Sequence, residues 1–218
     1  MFISLVGVYG LVVALVSTLS VVEAKQSVPV TCGSTVKLQH SNTKYRLHSH
    51  EIAYGSGSGQ QSVTAFEGSN DANSYWVIRG SAKHPCPQGT PISAGTKFRL
   101  QHVHTKRWLH SHHHAAPISS QHQEVSCYGD EDKSDTGDIW KFEAEKGSGV
   151  WTRDAKVRFV HDETGVYLMS HDKKFGRPIA GQQEVCGTKK KNSDSFWVAT
   201  EGVYMPDATL PDDLDDEL

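Results

Sequence analysis

An all-β fold built from three similar units is what this sequence predicts, and three observations predict it. A lead-in ending in LHSH occurs three times: VKLQHSNTKYRLHSH from Val36, FRLQHVHTKRWLHSH from Phe98, and VRFVHDETGVYLMSH from Val157, where Met169 replaces the first His. A Trp closes each unit, Trp76, Trp140 and Trp197, lying 36, 38 and 36 residues after His40, His102 and His161. Between these landmarks stand QQSV (Gln60 to Val63), HQEV (His122 to Val125) and QQEV (Gln182 to Val185), each after a loop rich in Gly, Ser or Pro. The spacing is 62 residues from His40 to His102 and 59 from His102 to His161. Units that short hold a poor core alone, so the three are expected to share one.

In the first unit Val36, Leu38 and His40 alternate with Lys37 and Gln39, the period of two that marks a half-buried strand. Ser41 to Lys44 supply a turn, and Tyr45, Leu47 and Ser49 begin a returning strand, which predicts a hairpin. Gly55 to Gly59 form an irregular loop. Neither a helix start nor a Lys follows it, so it does not fit a phosphate cradle. Gln60 to Ala65 and Tyr75 to Ile78 are two further β-prone runs. The second unit copies the plan with Phe98 to His102, Arg107 to His110, a loop over Ala115 to Ser120, and Ile139 to Phe142; the third runs from Val157 to Val198. No window shows helical periodicity. Four strands in each of three units predict about twelve short strands closed into a pseudo-threefold β-trefoil, ahead of a propeller, which has more than three blades. The expected boundaries are a body over 25–206, with units at about 32–86, 90–146 and 150–204.

The ends read as addresses. An apolar run with the small-residue ending Val22-Glu23-Ala24 predicts a secretory signal over 1–24, although it lacks a basic n-region; a single-pass anchor over Leu5 to Val22 is the alternative. Residues 207–218 are expected to be a flexible acidic tail. Its last four, Asp215, Asp216, Glu217 and Leu218, differ from KDEL only in the first position. Together they predict the endoplasmic reticulum lumen, with partial secretion, and no membrane insertion after cleavage. Of the 25 acids, one lies in the leader and six in the tail, which leaves 18 against 22 bases in the body, a net of +4. Nucleic-acid binding would need a clustered basic stripe, and Lys189-Lys190-Lys191 reads instead as a solvated turn.

Four cysteines in an oxidising lumen favour disulfides. Cys32 and Cys86 flank the first unit and are expected to close it, while Cys127 and Cys186 follow the same QEV element and are expected to pair. No metal and no cofactor is expected: there is no CxxC pair, and no Asp, Glu or Cys stands beside His110 to His114 in a ligand pattern. Catalysis is not expected either. GxSxG and HExxH are absent, and Asp130 with Asp132 sit in polar surroundings that keep both ionised.

LHSH, YGSGSGQQSVT over Tyr54 to Thr64, NDANSYW, LHSHHHAAPIS and GQQEVCG over Gly181 to Gly187 resemble the MIR-domain proteins, and the resemblance covers about Cys32 to Tyr204. It implies a trefoil of three MIR repeats in the endoplasmic reticulum lumen, without known catalysis. It also implies association with the BiP chaperone system through a lumenal DnaJ-family co-chaperone, in protein folding and quality control of unfolded clients. The DDEL ending and Met169 depart from the pattern. Two functions compete: an interaction module in a chaperone complex, and a lectin-like module that binds O-mannosyl or other glycans on clients. The candidate binding residues are His48, His50, His110, His112 and His171, with Tyr54 and Gln61. A His recurring at one place in each unit also has a structural reading, as a side chain that fixes a turn through the backbone.

Overall fold

The computed structural model describes residues 27–145 and 149–209. The signal-like run, the cleavage site at Ala24 and the Asp215 to Leu218 ending lie outside the described residues. Twelve strands alternate along the chain: β1 (Thr35–His40), β2 (Arg46–Ala53), β3 (Gln61–Phe66), β4 (Tyr75–Arg79), β5 (Lys97–His102), β6 (Trp108–Ala115), β7 (Gln123–Tyr128), β8 (Trp140–Ala144), β9 (Lys156–His161), β10 (Tyr167–Lys174), β11 (Gln183–Thr188) and β12 (Trp197–Val203). Six of them, taken in the order β1, β4, β5, β8, β9 and β12, pair antiparallel with their neighbours and close a barrel. The other six form three hairpins, β2–β3, β6–β7 and β10–β11. Their second strands β3, β7 and β11 pair with one another in a triangle. A six-stranded barrel capped by three hairpins is the β-trefoil, so the fold class read from the repeats holds. Among the described residues no helix is long and apolar enough to cross a membrane.

Strand alternation builds one core. Val36, Leu38, Trp76, Phe98, Leu100, Trp140, Phe159 and Trp197 from the barrel meet Leu47, Val63, Leu109, Val125, Leu168 and Val185 from the cap, all essentially buried. The large-to-small mixture lets three short units share a single interior, which none encloses alone.

Two expectations need correction. The predicted hairpin of the first two strands is a corner: β1 and β2 share the single ladder pair Gln39 with Arg46, and likewise β5 with β6 and β9 with β10. The turn is tight, with the His40 N–H donating to Tyr45 O and Lys44 at φ 67°. Beyond it β1 stays in the barrel while β2 turns out to pair with β3, because the barrel strand finds its partners in β4 and β12. Local alternation reports that a strand exists and says nothing of its partner.

The cysteines divide. Cys32 and Cys86 form a disulfide across 54 residues of sequence, but Cys127 and Cys186 are free and buried, so the expected second bridge is absent. The reason lies in the one-residue difference between QEVSC and QEVC. Cys127 stands two places after Val125 and shares its face of the strand, in the core; Cys186 stands one place after Val185 and points to the opposite face, against Ala116 and Met169.

Candidate functional site

The recurrent histidines fall into two layers. His40, His102 and His161 end barrel strands and are fully buried. In each, Nδ1 accepts from the backbone N–H of the residue three places on, Thr43, Thr105 or Thr164, and also meets that Thr hydroxyl. Nε2–H then donates to a carbonyl of a neighbouring unit or segment, Asp194, Asn73 or Gly137. Each ring lies about 5 Å from a closing Trp, whose Nε1–H donates to the carbonyl of Leu47, Leu109 or Leu168. An imidazole with a donor facing Nδ1 must stay neutral. Burial accordingly pushes the pKa of all three down, that of His102 to about 4. These three are structural.

The LHSH residues form the second layer, in the cap. His48 Nδ1 lies 2.8 Å from Asp71 Oδ2 and its Nε2 lies 2.9 Å from His50 Nδ1, leaving His50 Nε2 buried without a partner. Burial lowers the pKa of His48 and His50, although Asp71 opposes the shift. His110 Nδ1 lies 2.9 Å from Asp138 Oδ1, a fully buried carboxylate that also caps the 3₁₀ turn Thr136–Asp138. Met169 stands where the third unit would continue this pattern.

The last His of LHSH meets a glutamate. His112 Nε2 is 2.9 Å from Glu124 Oε1, and His171 Nε2 is 2.9 Å from Glu184 Oε2. Both glutamates are fully buried and each holds the hairpin loop of the preceding unit: Glu124 takes the Ser58 hydroxyl and N–H, and Glu184 the Ser119 hydroxyl with the N–H groups of Ile118 and Ser119. Burial raises the pKa of each carboxyl, but the donors outweigh it and keep both below the usual range. In the first unit Ser62 occupies this place, so its His50 has no acid.

Tyr54 and Gln61 do not line a surface. Tyr54 is buried, its hydroxyl donating to Val63 O and meeting Val125 O, and its ring lies 6.1 Å from Phe175. Gln61 Nε2–H donates to Ser49 and to Thr105 of the next unit, a tie repeated by Gln123 with Ser111 and Thr164. Both are parts of the frame. The pairing of Asp71, Asp138, Glu124 and Glu184 with these histidines is not readable from the sequence, because each sits 12 to 28 residues from its His; the Glu of QEV is the available signal.

Nothing in this network resembles an exposed nucleophile beside its base. Burial pushes the Cys127 thiol up to about 12 and the Cys186 thiol higher still, so neither is a thiolate near neutral pH. What faces outward is the far half of each first hairpin strand: Glu51 and Ala53, then His113 to Ala115, then Asp172 to Lys174. Two open clefts accompany them. One of about 690 Å³ of mixed charge lies between the Ser81 to His84 loop and the Glu131 to Thr136 connection; the other, about 590 Å³, runs between the second and third units and carries His113, His114, His122, Lys189 and Lys190.

A MIR-domain family model matches residues 33–199. The stromal cell-derived factor 2-like protein of Arabidopsis thaliana is 52% identical over 182 residues, covering 84% of this chain and 83% of that protein. The crystal structure of the SDF2-like protein from the same plant superposes with a TM-score of 0.80 over 82% of this chain and 98% of that one. A chain of the S. cerevisiae protein O-mannosyltransferase Pmt1–Pmt2 complex bound to the sugar donor is 32% identical, with a TM-score of 0.72, across 90% of this chain but only 28% of that chain. The repeated His–Trp frame, the trefoil built on it and these likenesses agree, and the chain belongs to the MIR-domain family, among the stromal cell-derived factor 2 proteins.

Proposed function

We infer that this chain is a non-enzymatic binding module of the endoplasmic reticulum lumen that works inside a chaperone and co-chaperone complex, joining a lumenal DnaJ-family protein and BiP. The observation that carries the reading is the fate of the recurrent polar side chains. His40, His102, His161, Gln61, Gln123, Glu124 and Glu184 are spent on holding the three units together, which leaves shape and the outward hairpin ends for recognition. A molecule that held unfolded clients by itself would need a contiguous apolar patch of several hundred Å². Among the described residues the exposed large hydrophobics are Val28, Val150 and Val203. Client contact therefore belongs to the partner, with this chain acting on the complex.

The test is affinity capture from microsomes, with a tag placed after Ala24. A lumenal DnaJ protein recovered together with BiP supports the reading, and recovery of neither after a mild wash removes it.

A second reading, a lectin-like module for O-mannosyl glycans, draws on the likeness to the O-mannosyltransferase chain. The uneven loops weigh against it: the position of Tyr54 and Phe175 is Ala116 in the second unit, and Tyr54 is buried. Free mannosides are expected to bind no more tightly than ~1 mM. A saturable isotherm well below that concentration, with elution of captured glycoproteins by free sugar, would put the lectin reading first.

A further inference from the structure

The three junctions between units are built alike, with one exception. Where the first and second units meet, the Ser126 hydroxyl donates to Gln60 Oε1 at 2.5 Å; where the third and first meet, the Thr64 hydroxyl donates to Gln182 Oε1. The same two positions at the junction of second and third are His122 and Cys186. The ladder registers match: Ser126 faces Ser62, Thr64 faces Glu184, and Cys186 faces Glu124. A hydroxyl and an amide, neither of them a good transition-metal ligand, are thus replaced at a single junction by a thiol and an imidazole. The same junction already holds His171 and Glu184, and ligand atoms of His171, Glu184 and Cys186 lie within 4.8 Å of one another. His122 holds the place that Gln60 and Gln182 hold at the other junctions and lines the cleft over this one together with Gly187, the neighbour of Cys186.

We propose that Cys186, His171, Glu184 and His122 form a zinc site at the junction of the second and third units. Thiolate, imidazole and carboxylate are the donors zinc takes, and four of them complete a structural tetrahedron. Bonds of 2.0 to 2.3 Å place such donors roughly 3.3 to 3.6 Å apart, so His171 and Glu184, 2.9 Å apart, part slightly around the ion, Cys186 draws in from within 4.8 Å, and the His122 ring swings in from the cleft wall as the fourth donor.

The surroundings suit this. Ile118 and Ser119 N–H groups hold Glu184 Oε1 at 2.6 and 3.3 Å, in the manner of a second shell that orients a ligand, while Oε2, which takes the Ser119 hydroxyl and faces His171 Nε2, is the oxygen that turns to the metal. The ion takes the place of the proton between His171 Nε2 and Glu184. His171 Nδ1 then gives up an exposed contact with the Lys173 N–H, which water replaces. Cys186 has a single weak neighbour in polar terms, the Ser119 hydroxyl at 4.0 Å. Entry runs through the 590 Å³ cleft, whose wall includes both His122 and Gly187. Zinc here would fasten the loop Ala116 to His122 of the second unit to β11 of the third, with Cys186 losing its proton to solvent as the metal binds.

The experiment titrates the purified full chain, with its Cys32–Cys86 disulfide intact, with Co²⁺ and then displaces it with Zn²⁺. Wild type is expected to bind one Co²⁺ and to develop thiolate-to-cobalt charge-transfer absorption that Zn²⁺ abolishes. Cys127→Ser keeps that band and Cys186→Ser loses it, with affinity falling at least about tenfold, the least a lost shell contact costs. Cys186→Ser and His122→Gln reproduce residue types found at the other two junctions, so both variants fold, and thermal melts of the metal-free proteins check this. Absence of the band in wild type up to ~1 mM Co²⁺, a level of marginal affinity, or its persistence in Cys186→Ser, overturns the proposal.

Discussion

Acid should loosen this fold within a defined window, and His102 sets the scale. Its Nδ1 accepts the Thr105 N–H, its Nε2–H donates to Asn73 O, and its ring lies against Trp76. Burial is the main cause of a pKa near 4, against 6.5 for the free side chain, with the nearby His48 and His104 charges acting in the same direction. Because the folded value is depressed, the unfolded chain takes up the proton first as pH falls. The stabilisation is therefore complete above pH 6.5 and is lost as pH drops from 6.5 towards 4. At pH 5 the proton linkage of a 2.5-unit shift amounts to about 2 kcal/mol, and at pH 4 to about 3 kcal/mol. His40 and His161 share the geometry and the direction, so the whole protein loses more than this. The Glu201 carboxyl, held near 2 by its hydrogen bonds from Arg46 against 4.5 for the free side chain, adds its slope mainly below pH 5. The assay is urea unfolding at pH 7.5, 6.5, 5.5 and 5.0. With a slope of about 2 kcal/mol per molar urea, His102 alone moves the midpoint down by about 1 M between pH 7.5 and 5. His102→Asn lowers the midpoint at pH 7.5 and flattens the profile by about the same 2 kcal/mol. Ring-proton NMR of the wild type reads the titration directly if that variant folds poorly. A midpoint that stays level to pH 5, or an NMR pKa near 6.5 for His102, refutes the reasoning.

Gln61→Ala removes the ties to Ser49 and Thr105, two ordinary hydrogen bonds whose hydroxyls keep their other partners, so it should cost about 1–3 kcal/mol, read as a lowered melting temperature; an unchanged melt contradicts the role given to Gln61. Glu124→Ala removes a fully buried acid from its half-buried His112 and from Ser58 and should destabilise by about 3 kcal/mol, with faster amide exchange at Gly57 to Gly59, and equal exchange in both proteins speaks against the clamp. Thiol counting in denaturant without reductant should give two reactive groups, Cys127 and Cys186, and almost none in the native protein; zero in denaturant would restore the bridge excluded above. Reducing Cys32–Cys86 opens a loop of 54 residues and should cost about 4 kcal/mol in the chain-entropy account, visible as a two-step loss of urea resistance on adding reductant.

The repeats made the fold legible because each landmark has a backbone reason. His40, His102 and His161 mark the corner where a barrel strand hands over to a cap strand, and Trp76, Trp140 and Trp197 mark the return to the barrel. Strand partners were not legible, since alternation along Val36 to His40 is the same whether the neighbour is β2 or β12. The candidate site was legible as a set of positions and not as contacts. Leu-His-Ser-His picked out His48, His110, His112 and His171, but their acids come from a 3₁₀ turn or the following strand, at distances in sequence that no local pattern spans. Tyr54 misled for a simple reason: an aromatic beside glycines reads as an exposed stacking platform, and here the hairpin folds it inward onto Val63.

We propose that this trefoil joins a lumenal DnaJ-family co-chaperone as a binding partner without catalysis of its own. Sedimentation velocity of the purified chain, the purified co-chaperone and their mixture, with and without free mannose, tests it most directly. A faster-moving complex at micromolar concentrations that mannose leaves intact is expected, with amide exchange slowed at the outward hairpin ends near Glu51, His113 and Lys173. Independent sedimentation of the two proteins, or a complex that free mannose disperses, would contradict it.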